Sequence, residues 1–383
     1  MTPGVTPNIG AFENDSSDPG VTEASGSERP SSVGSALEST WLEAGFEILD
    51  LIGHGGMGVV FKARQLSLDR IVALKVLIAG QHASPTQRAR FHLEAESIAQ
   101  LQHPNVIQIY ESGTNKSELF FSMEYCSGGS LADFIHEEKI SASEAARIVL
   151  LLAEAVQTAH ARGIIHRDIK PSNVLLLDDN ERPISQRKPK LTDFGIAKNL
   201  QTQSGITQSG DVIGTPAYMA PEQAMGRVHS IGPATDIYAI GAILYQLLTG
   251  TPPFEAASSM ETLSRVMRDD PVLPSRLTGH AIPKDLEVIC LKCLEKNPEQ
   301  RYVSAEALAE DLRCYLDHRP IQARPVSTFT RLAKWVKRHP VKTVVALGSL
   351  ITTVLILGLL IGFFYQSKLK TSNEQLASTL NKW

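Results

Sequence analysis

The stretch His166-Arg167-Asp168-Ile169-Lys170-Pro171-Ser172-Asn173 lies near the middle of the 383-residue chain. Two further short stretches follow it in order, Asp193-Phe194-Gly195 and Ala220-Pro221-Glu222. The three stretches are independent of one another. Their joint presence in this order is not expected by chance, and it decides the fold.

A glycine-rich stretch precedes them in the chain. Gly53-His54-Gly55-Gly56-Met57-Gly58-Val59-Val60 follows the pattern G-x-G-x-x-G-x-V. Glycine allows the backbone to approach phosphate oxygens without a Cβ atom in the way. A dinucleotide-binding fold would open a helix here, whereas β-type residues flank this stretch on both sides. We therefore predict a β-hairpin that covers a phosphate-bearing ligand.

A single lysine interrupts the apolar strand that follows this hairpin. The strand is Val72-Ala73-Leu74-Lys75, and Glu94 lies in the helical stretch 90–101. A lysine in an apolar strand is costly to bury unless it is paired. We predict that Glu94 orients Lys75, which holds the phosphates of the ligand.

The apolar pattern divides the globular part of the chain in two. From Phe46 to Leu77, apolar and polar residues alternate, which predicts β-strands in antiparallel hairpins. Beyond Ser130, apolar residues recur at helical spacing over 145–160, 237–248 and 286–294. The expected fold class is α+β, with a small β-rich lobe followed by a larger, mainly helical lobe.

Together these motifs resemble those of the protein kinases. The loop around Asp168 is similar to the kinase catalytic loop, and the two stretches after it resemble the metal-binding triplet and the end of the activation segment. The chain is identified as a member of the eukaryotic-like bacterial Ser/Thr protein kinases over residues 46–316. The resemblance implies the two-lobed protein-kinase fold, ATP as phosphoryl donor, Mg²⁺ as metal (with Mn²⁺ as a substitute), and protein Ser or Thr hydroxyls as acceptors.

The resemblance also assigns roles to the catalytic residues. Asp168 would accept the proton of the acceptor hydroxyl or orient that hydroxyl, and Lys170 would neutralise the γ-phosphoryl group. Asn173 and Asp193 would supply the hard oxygen ligands that Mg²⁺ prefers. The lysine–glutamate pair predicted above would hold the α- and β-phosphates.

The nucleotide pocket is assigned in the same way. It combines glycines of the hairpin, apolar side chains on either side of the adenine, and the segment that joins the lobes. The resemblance places ATP against Ile52, Gly53, Gly55, Gly58, Val60, Ala73, Lys75, Met123, Glu124, Cys126 and Leu175. Within this set Met123 would be the gatekeeper, and Glu124-Tyr125-Cys126 would be the hinge that offers backbone groups to the purine.

Several further residues are assigned roles in supporting the site. Asp236 would anchor the catalytic loop from a buried helix, and Thr215 would bond the catalytic base and favour a Ser or Thr acceptor. Glu222 would pair with Arg301. A spine that joins the two lobes would consist of Ile98, Ile109, His166 and Phe194.

Arg167 directly precedes the predicted base. Kinases with this arginine usually become active when a phosphate on the activation segment pairs with it, because phosphate–arginine contacts order a loop. Segment 199–210 contains Thr207 and Ser209, which we predict as autophosphorylation sites ahead of Thr202. The alternative is an unmodified polar loop.

Composition limits the other classes of protein. The chain is 43% hydrophobic and 20% charged, and its four cysteines are too few for a disulfide scaffold. A net charge of −4 argues against nucleic-acid binding.

Two local features are given structural interpretations. Cys290 and Cys293 form a C-x-x-C pair, but their apolar helical surroundings favour core packing over a metal or redox site. Extra polar residues over 180–189 are expected to lengthen a surface loop.

The segments that flank the kinase-like region differ sharply in charge. Residues 1–40 form an acidic, Ser/Gly/Pro-rich tail, which we expect to be disordered. Residues 319–342 hold seven basic residues and no acid, and residues 343–365 hold no charge at all. An uncharged run of this length predicts a transmembrane helix, and the basic segment before it predicts contact with anionic membrane lipid. The positive-inside bias then places the kinase domain in the cytoplasm and residues 366–383 outside, as a short extracytoplasmic tail.

Two classes of function remain open at this point. The first is an active Ser/Thr kinase anchored in the cell membrane by a single pass, acting in signalling and activated by autophosphorylation. The alternative is an ATP-binding membrane signalling scaffold of the pseudokinase type. The intact set of Lys75, Asp168 and Asp193 favours the kinase.

The uncharged run also contains a pattern that would suit a homodimer. Gly358 and Gly362 form G-x-x-x-G, which allows two membrane helices to pack closely.

Overall fold

The computed structural model describes residues 40–55, 58–77, 85–116, 118–135, 140–177, 187–194, 216–278 and 281–323, together with Thr352 and Ile356. These residues form two lobes, an N-terminal one built on a β-sheet and a C-terminal one built mainly of helices. The predicted α+β, two-lobed architecture is therefore confirmed.

The N-terminal lobe is an antiparallel sheet with one long helix. Its elements are β1 (Phe46–Gly55), β2 (Gly58–Gln65), β3 (Arg70–Leu77), α1 (Pro85–Ala99), β4 (Ile109–Asn115) and β5 (Glu118–Glu124). The strands lie side by side in the order β1-β2-β3-β5-β4. Gly55 of β1 pairs with Gly58 of β2. The glycine-rich stretch is thus a β-hairpin, as predicted, and not the start of a helix.

The outer face of this sheet is covered by residues that precede the predicted domain. Residues 40–43 are helical, and Trp41 among them is fully buried. Its ring meets that of Phe120 edge-on, with 5.3 Å between the ring centroids. The apolar cluster on this face consists of Trp41, Phe46, Ala63, Val72, Leu74, Val76 and Phe120. Trp41, which lies before the predicted start of the domain at residue 46, thus packs into the apolar cluster of this lobe.

The C-terminal lobe is organised around one buried helix. In chain order its helices are α2 (Leu131–Phe134), α3 (Ala142–His160), α4 (Pro221–Ala224), α5 (Pro233–Thr249), α6 (Ser259–Arg268), α7 (Pro274–Leu277), α8 (Lys284–Cys293) and α9 (Ala305–Leu316). Two short strands, β6 (Val174–Leu177) and β7 (Lys188–Leu191), pair antiparallel. Helix α5 is buried along most of its length and packs against α3 and α8, while α3 also packs on α9. The predicted helical stretches thus form the core of this lobe.

Short-range signals determine where these helices begin and end. Ser141 accepts a hydrogen bond from the Glu144 backbone N–H, and the Glu144 side chain accepts one from the Ser141 N–H, at 3.3 and 2.8 Å. This reciprocal pair satisfies donors that an α-helix leaves open at its start. Helix α5 ends at Gly250, whose φ of +81° favours glycine.

The C-x-x-C pair lies in the core, as predicted. Cys290 and Cys293 are both fully buried on α8, against Gly241 of α5. Burial raises the pKa of the Cys293 thiol to about 12. A Cβ atom at Gly241 would lie 2.4 Å from the Cys293 Cβ atom, so only glycine allows the two helices to come this close. Among the described residues no group of three or more His, Cys, Asp or Glu side chains is arranged to hold a metal ion.

The folded unit also extends beyond its predicted C-terminal end. The backbone N–H groups of Gln322 and Ala323 donate to the Asp311 carboxylate of α9, at 2.7 and 2.9 Å. Ala323 is buried in the main core. Arg319 pairs with Asp317 at 3.1 Å. The first five residues of the predicted basic segment 319–342 therefore belong to the kinase-like lobe.

The predicted surface loop 180–189 is shorter at its C-terminal end than expected. Lys188 and Pro189 belong to β7. The Arg187 side chain is buried and its guanidinium lies 4.3 Å from the Phe134 ring centroid, so the prediction that residues 187–189 belong to a surface loop is wrong.

In the part of the chain that the structure describes, no helix has both the length and the apolar character needed to cross a bilayer. The run 343–365 lies outside that part except for Thr352 and Ile356, which are helical.

Candidate active site

The catalytic loop is held through its backbone by one buried carboxylate. Asp236, at the start of α5, accepts hydrogen bonds from the backbone N–H groups of His166 and Arg167, each at 2.9 Å. The ring Nε2 of His160 lies 2.7 Å from the same carboxylate. These are the contacts that the predicted anchoring role of Asp236 requires. They also hold Arg167 in a left-handed conformation, with φ of +67°, which a non-glycine residue adopts only when its surroundings enforce it.

Asp168 is the centre of a small polar cluster. Asn173 donates from its amide to the Asp168 backbone carbonyl at 2.8 Å and to the carboxylate at 3.2 Å. The Lys170 ammonium lies 3.3 Å from the same carboxylate. The carboxylate is thus held in one orientation by an amide and a cation. An orientation of this kind is what a residue that aligns or deprotonates a hydroxyl requires.

Lys75 and Asp193 meet directly across the cleft between the lobes. The Lys75 ammonium, from β3, forms an ion pair with the Asp193 carboxylate, which follows β7. Asp193 has φ of +61°, a second left-handed residue at the site. Lys75 is only 8% exposed, and the ion pair with Asp193 offsets the free-energy cost of burying its charge. Glu94 lies on α1, but its side chain is outside the described part, so its contact with Lys75 stays a prediction.

The inner face of the sheet lines the nucleotide end of the cleft. Val60 pairs with Lys75 across β2 and β3, and Ala73 pairs with Met123 across β3 and β5. Residues directly opposite each other in an antiparallel pair project to the same side. These four predicted ATP-binding residues therefore share one face. Ile52 lies at the β-bulge of the edge strand β1 and is exposed.

The close approach of β2 to β3 requires a glycine at position 58, and the sequence did not reveal this requirement. A Cβ atom there would lie 2.2 Å from the backbone oxygen of Val76 on β3. For Gly53 the nearest side-chain atom would be at 3.6 Å, an ordinary contact. The third glycine of the motif is thus required by strand packing, whatever its role toward phosphate.

Glu124 of the predicted hinge makes polar contacts with both lobes. The Glu124 N–H donates to the Gln108 carbonyl at 2.9 Å, so the backbone of Glu124 has only its carbonyl to offer a purine. Its side chain pairs with Lys190 of β7 at 2.7 Å. Cys126 is half-buried, and burial raises the pKa of its thiol to about 12. Leu175, on β6 of the C-terminal lobe, packs against the same core as Val60.

The four residues of the predicted spine are all buried, and the histidine among them is neutral. Ile98, Ile109 and Phe194 lie in one buried cluster, and the His166 and Phe194 rings are 4.5 Å apart. Burial lowers the pKa of His166, despite the carboxylates of Asp236 and Asp168 nearby. Its Nδ1 accepts from the Asp168 N–H at 3.3 Å, and its Nε2 lies 2.9 Å from the Thr192 carbonyl. A neutral ring protonated on Nε2 satisfies both contacts.

Glu222 and Arg301 form the predicted ion pair. Both Glu222 oxygens accept from the Arg301 guanidinium at 2.8 Å, and Thr235 donates to Glu222 at the same distance. Both side chains are almost fully buried. Burial on its own raises the pKa of Glu222, but the hydrogen bonds and charge of Arg301 outweigh it, so the pKa lies below its ordinary value.

This lowered pKa predicts a loss of stability in acid. A carboxyl group whose pKa is lower in the folded protein than in the unfolded chain stabilises the fold at pH values above its ordinary pKa of 4.5. This stabilisation is lost as the pH falls through the folded-state pKa. We expect Glu222→Gln to lower the free energy of unfolding by about 1.5–3 kcal/mol at neutral pH, as for a hydrogen bond to a charged group. The difference from wild type should shrink below the ordinary pKa. Urea unfolding over a pH series measures it, and a difference that did not change with pH would contradict the prediction.

Not every predicted site residue can be placed. Thr207, Ser209 and Thr215 lie outside the described residues. Gly55, in contrast, is described as the last residue of β1, paired with Gly58. Conversely, sequence reasoning missed Gln223, whose amide donates to the Arg167 carbonyl at 2.8 Å. Its position directly after Glu222 was the only signal, and no local pattern distinguishes it.

The site and the two lobes together define the protein-kinase fold class, and comparison with known proteins agrees. A family model described as the protein kinase domain matches residues 46–312. The chain belongs to this family. It is 36% identical over 288 residues to the serine/threonine-protein kinase PknB of Mycobacterium leprae, covering 74% of this chain and 45% of that protein. It is 40% identical over 274 residues to the serine/threonine-protein kinase pkn3 of Myxococcus xanthus, covering 70% and 49%.

The solved structures show the same fold. The crystal structure of the Mycobacterium tuberculosis PknI kinase domain is 24% identical, with a TM-score of 0.55, and the match covers 70% of this chain and 96% of that one. At this identity the likeness shows the fold alone. The chain spans about half the length of the curated relatives it matches.

Proposed function

We propose that the chain is an active Ser/Thr protein kinase that transfers the γ-phosphoryl group of MgATP to protein hydroxyls. The observation that carries this proposal is the convergence of five side chains from both lobes. Lys75 contacts Asp193, and Asp168 is contacted by Asn173 and Lys170. A scaffold that only bound ATP would have no need of the second group.

Each of these residues has a task that suits its chemistry. The Asp168 carboxylate would orient the acceptor hydroxyl and take its proton, while Lys170 would offset charge on the transferred group. Lys75 would bind phosphate oxygens from its buried position. Asn173 and Asp193 fit Mg²⁺, because an amide and a carboxylate are hard oxygen donors and this ion usually takes only one or two carboxylates. When bound, Mg²⁺ would neutralise charge on the phosphate oxygens.

The test of this proposal is direct phosphoryl transfer. The full chain is incubated with Mg²⁺, casein and ATP labelled at the γ-phosphate, and the labelled amino acids are identified after acid hydrolysis. We expect label on serine and threonine, none on tyrosine, and none when EDTA is present. Binding of ATP without any transfer would contradict the proposal and support the alternative, a signalling scaffold.

We further propose that Thr207 and Ser209 are autophosphorylated and that the phosphates pair with Arg167. The backbone of Arg167 is held by Asp236 directly beside the base, so an ordered partner for its side chain would act on the catalytic loop. We expect Thr207→Ala/Ser209→Ala to lower the transfer rate on the order of tenfold or more, through loss of charge-assisted hydrogen bonds. Thr251→Ala, at an exposed threonine outside this segment, serves as the control. Full activity of the double variant would contradict this proposal.

We also propose that the chain is anchored in the cell membrane by residues 343–365, with the kinase domain in the cytoplasm. The support is the uncharged run and the basic residues before it. Its partners would then be protein substrates and anionic lipid, while a homodimer through Gly358 and Gly362 stays a prediction. We expect the full chain to stay with membranes after carbonate washing and a chain that lacks 343–365 to be released. Release of both would contradict the anchor.

A further inference from the structure

Gln223 connects the end of the activation segment to the catalytic loop. It lies on α4, directly after Glu222, which Arg301 holds in the core. Its amide Nε2 donates to the backbone carbonyl of Arg167 at 2.8 Å, and its Oε1 accepts from the Ala220 N–H at 3.1 Å. Sequence separation between Gln223 and Arg167 is 56 residues. The contact is therefore a tertiary one that joins two separate motifs.

The orientation of this amide is determined by its partners. A backbone carbonyl can only accept a hydrogen bond, and a backbone N–H can only donate one. The Arg167 carbonyl therefore requires the nitrogen of Gln223, and the Ala220 N–H requires its oxygen. A side chain that can only accept or only donate could not make both contacts.

The carbonyl that Gln223 binds belongs to the peptide unit that precedes the catalytic base. Arg167 has φ of +67°, and its N–H is bound by Asp236 at 2.9 Å. Asp236 thus holds the peptide before Arg167, and Gln223 holds the peptide between Arg167 and Asp168. A left-handed residue of this kind persists only when its surroundings over-determine it. Two side chains from different elements do so here.

Gln223 also lines a small pocket next to the proposed base. Asp168, Lys170, Tyr218, Met219 and Gln223 line it together with residues of α5. A shift of the Arg167–Asp168 peptide would move the base relative to these side chains.

We propose that Gln223 is a positioning residue for phosphoryl transfer, acting through the Arg167 carbonyl on the orientation of Asp168. This inference rests on the proposed kinase function. Gln223 lies apart from the nucleotide-binding face of the sheet, so its effect should fall on the transfer step and not on ATP binding. Misplacement of a catalytic group by about 1 Å can lower a rate on the order of a hundredfold.

Two variants of the full chain separate this contact from simple packing. Gln223→Glu keeps an oxygen for the Ala220 N–H but replaces the donor toward Arg167 with a second acceptor. Gln223→Met keeps the length of the side chain and removes both hydrogen bonds. Gln322→Met, at an exposed glutamine outside the site, is the matched control. The kcat, the KM for ATP and the melting temperature are measured for each with casein as the acceptor.

We expect both Gln223 variants to lose kcat on the order of tenfold to a hundredfold, with Gln223→Glu at least as impaired as Gln223→Met. The KM for ATP and the melting temperature should match those of Gln322→Met. A Gln223→Glu enzyme with the wild-type kcat would overturn the inference, and so would a parallel loss of kcat, ATP affinity and melting temperature. An inactive wild-type chain would instead contradict the kinase function itself, and the inference with it.

Discussion

Replacing Asp168 with asparagine is expected to lower kcat for phosphoryl transfer by about 10²–10⁴-fold, the usual contribution of a positioned acid–base group. The amide cannot accept the proton of the acceptor hydroxyl. It also removes the negative charge that Lys170 faces at 3.3 Å. Because Asp168 lies on the catalytic loop and not on the sheet face that holds Lys75, ATP affinity should change little. Transfer to casein and calorimetric ATP binding measure the two quantities separately.

A matched substitution tests whether this effect is specific. Asp269 is exposed at the end of α6, and Asp269→Asn makes the same chemical change away from the site. We expect it to retain the wild-type kcat. If Asp168→Asn were as active as Asp269→Asn, the proposed role of the loop would be wrong. If ATP binding were lost as well, Asp168 would have to be assigned to the nucleotide site instead.

Trp41→Ala is expected to lower the free energy of unfolding by about 3–5 kcal/mol, as for other large aromatic residues removed from a core. Trp41 is fully buried in the cluster on the outer face of the N-terminal sheet, edge-on to Phe120. Its removal exposes or empties the space above Val76 and Leu74, the two neighbours of Lys75 on β3. A loss of this size should lower the urea concentration at the midpoint of unfolding.

The residue next to it in the chain provides the control. Leu42 is 53% exposed, and Leu42→Ala should change the free energy of unfolding by no more than about 0.5 kcal/mol, as is usual for surface positions. Trp41→Phe should recover part of the loss, because an aromatic ring would again meet Phe120. Equal stability of the two alanine variants would show that residues 40–45 do not belong to the folded unit.

Much of the site was predictable because its residues occur in short motifs. Asp168, Asn173, Lys170 and Asp193 lie in loops whose glycine, proline and polar content distinguishes them from the strands and helices around them. The pairing of Glu222 with Arg301 and the anchoring by Asp236 followed from the family resemblance, and the structure has hydrogen bonds at both places. In these cases the type of residue, at a spacing typical of the family, carried the information.

The residues that pack just outside the predicted domain bounds could not be found from the sequence, for a different reason. Trp41 stands alone beside a polar, acidic tail, so no periodic pattern marks it as a core residue. Ala323 lies among basic residues, and its burial depends on two backbone hydrogen bonds to Asp311. Composition describes a window of sequence, whereas burial is decided residue by residue when the chain packs.

The sequence by itself determined the fold class, the β-hairpin at the glycines and the helical lobe, because strand and helix periods are local properties of the chain. It also determined which chemical groups are available to the site. Only the tertiary structure decided which of them meet: Lys75 with Asp193 across 118 residues, Gln223 with Arg167, and Trp41 with Phe120. Such contacts depend on how separate elements pack, and packing between distant segments leaves no local pattern in the sequence.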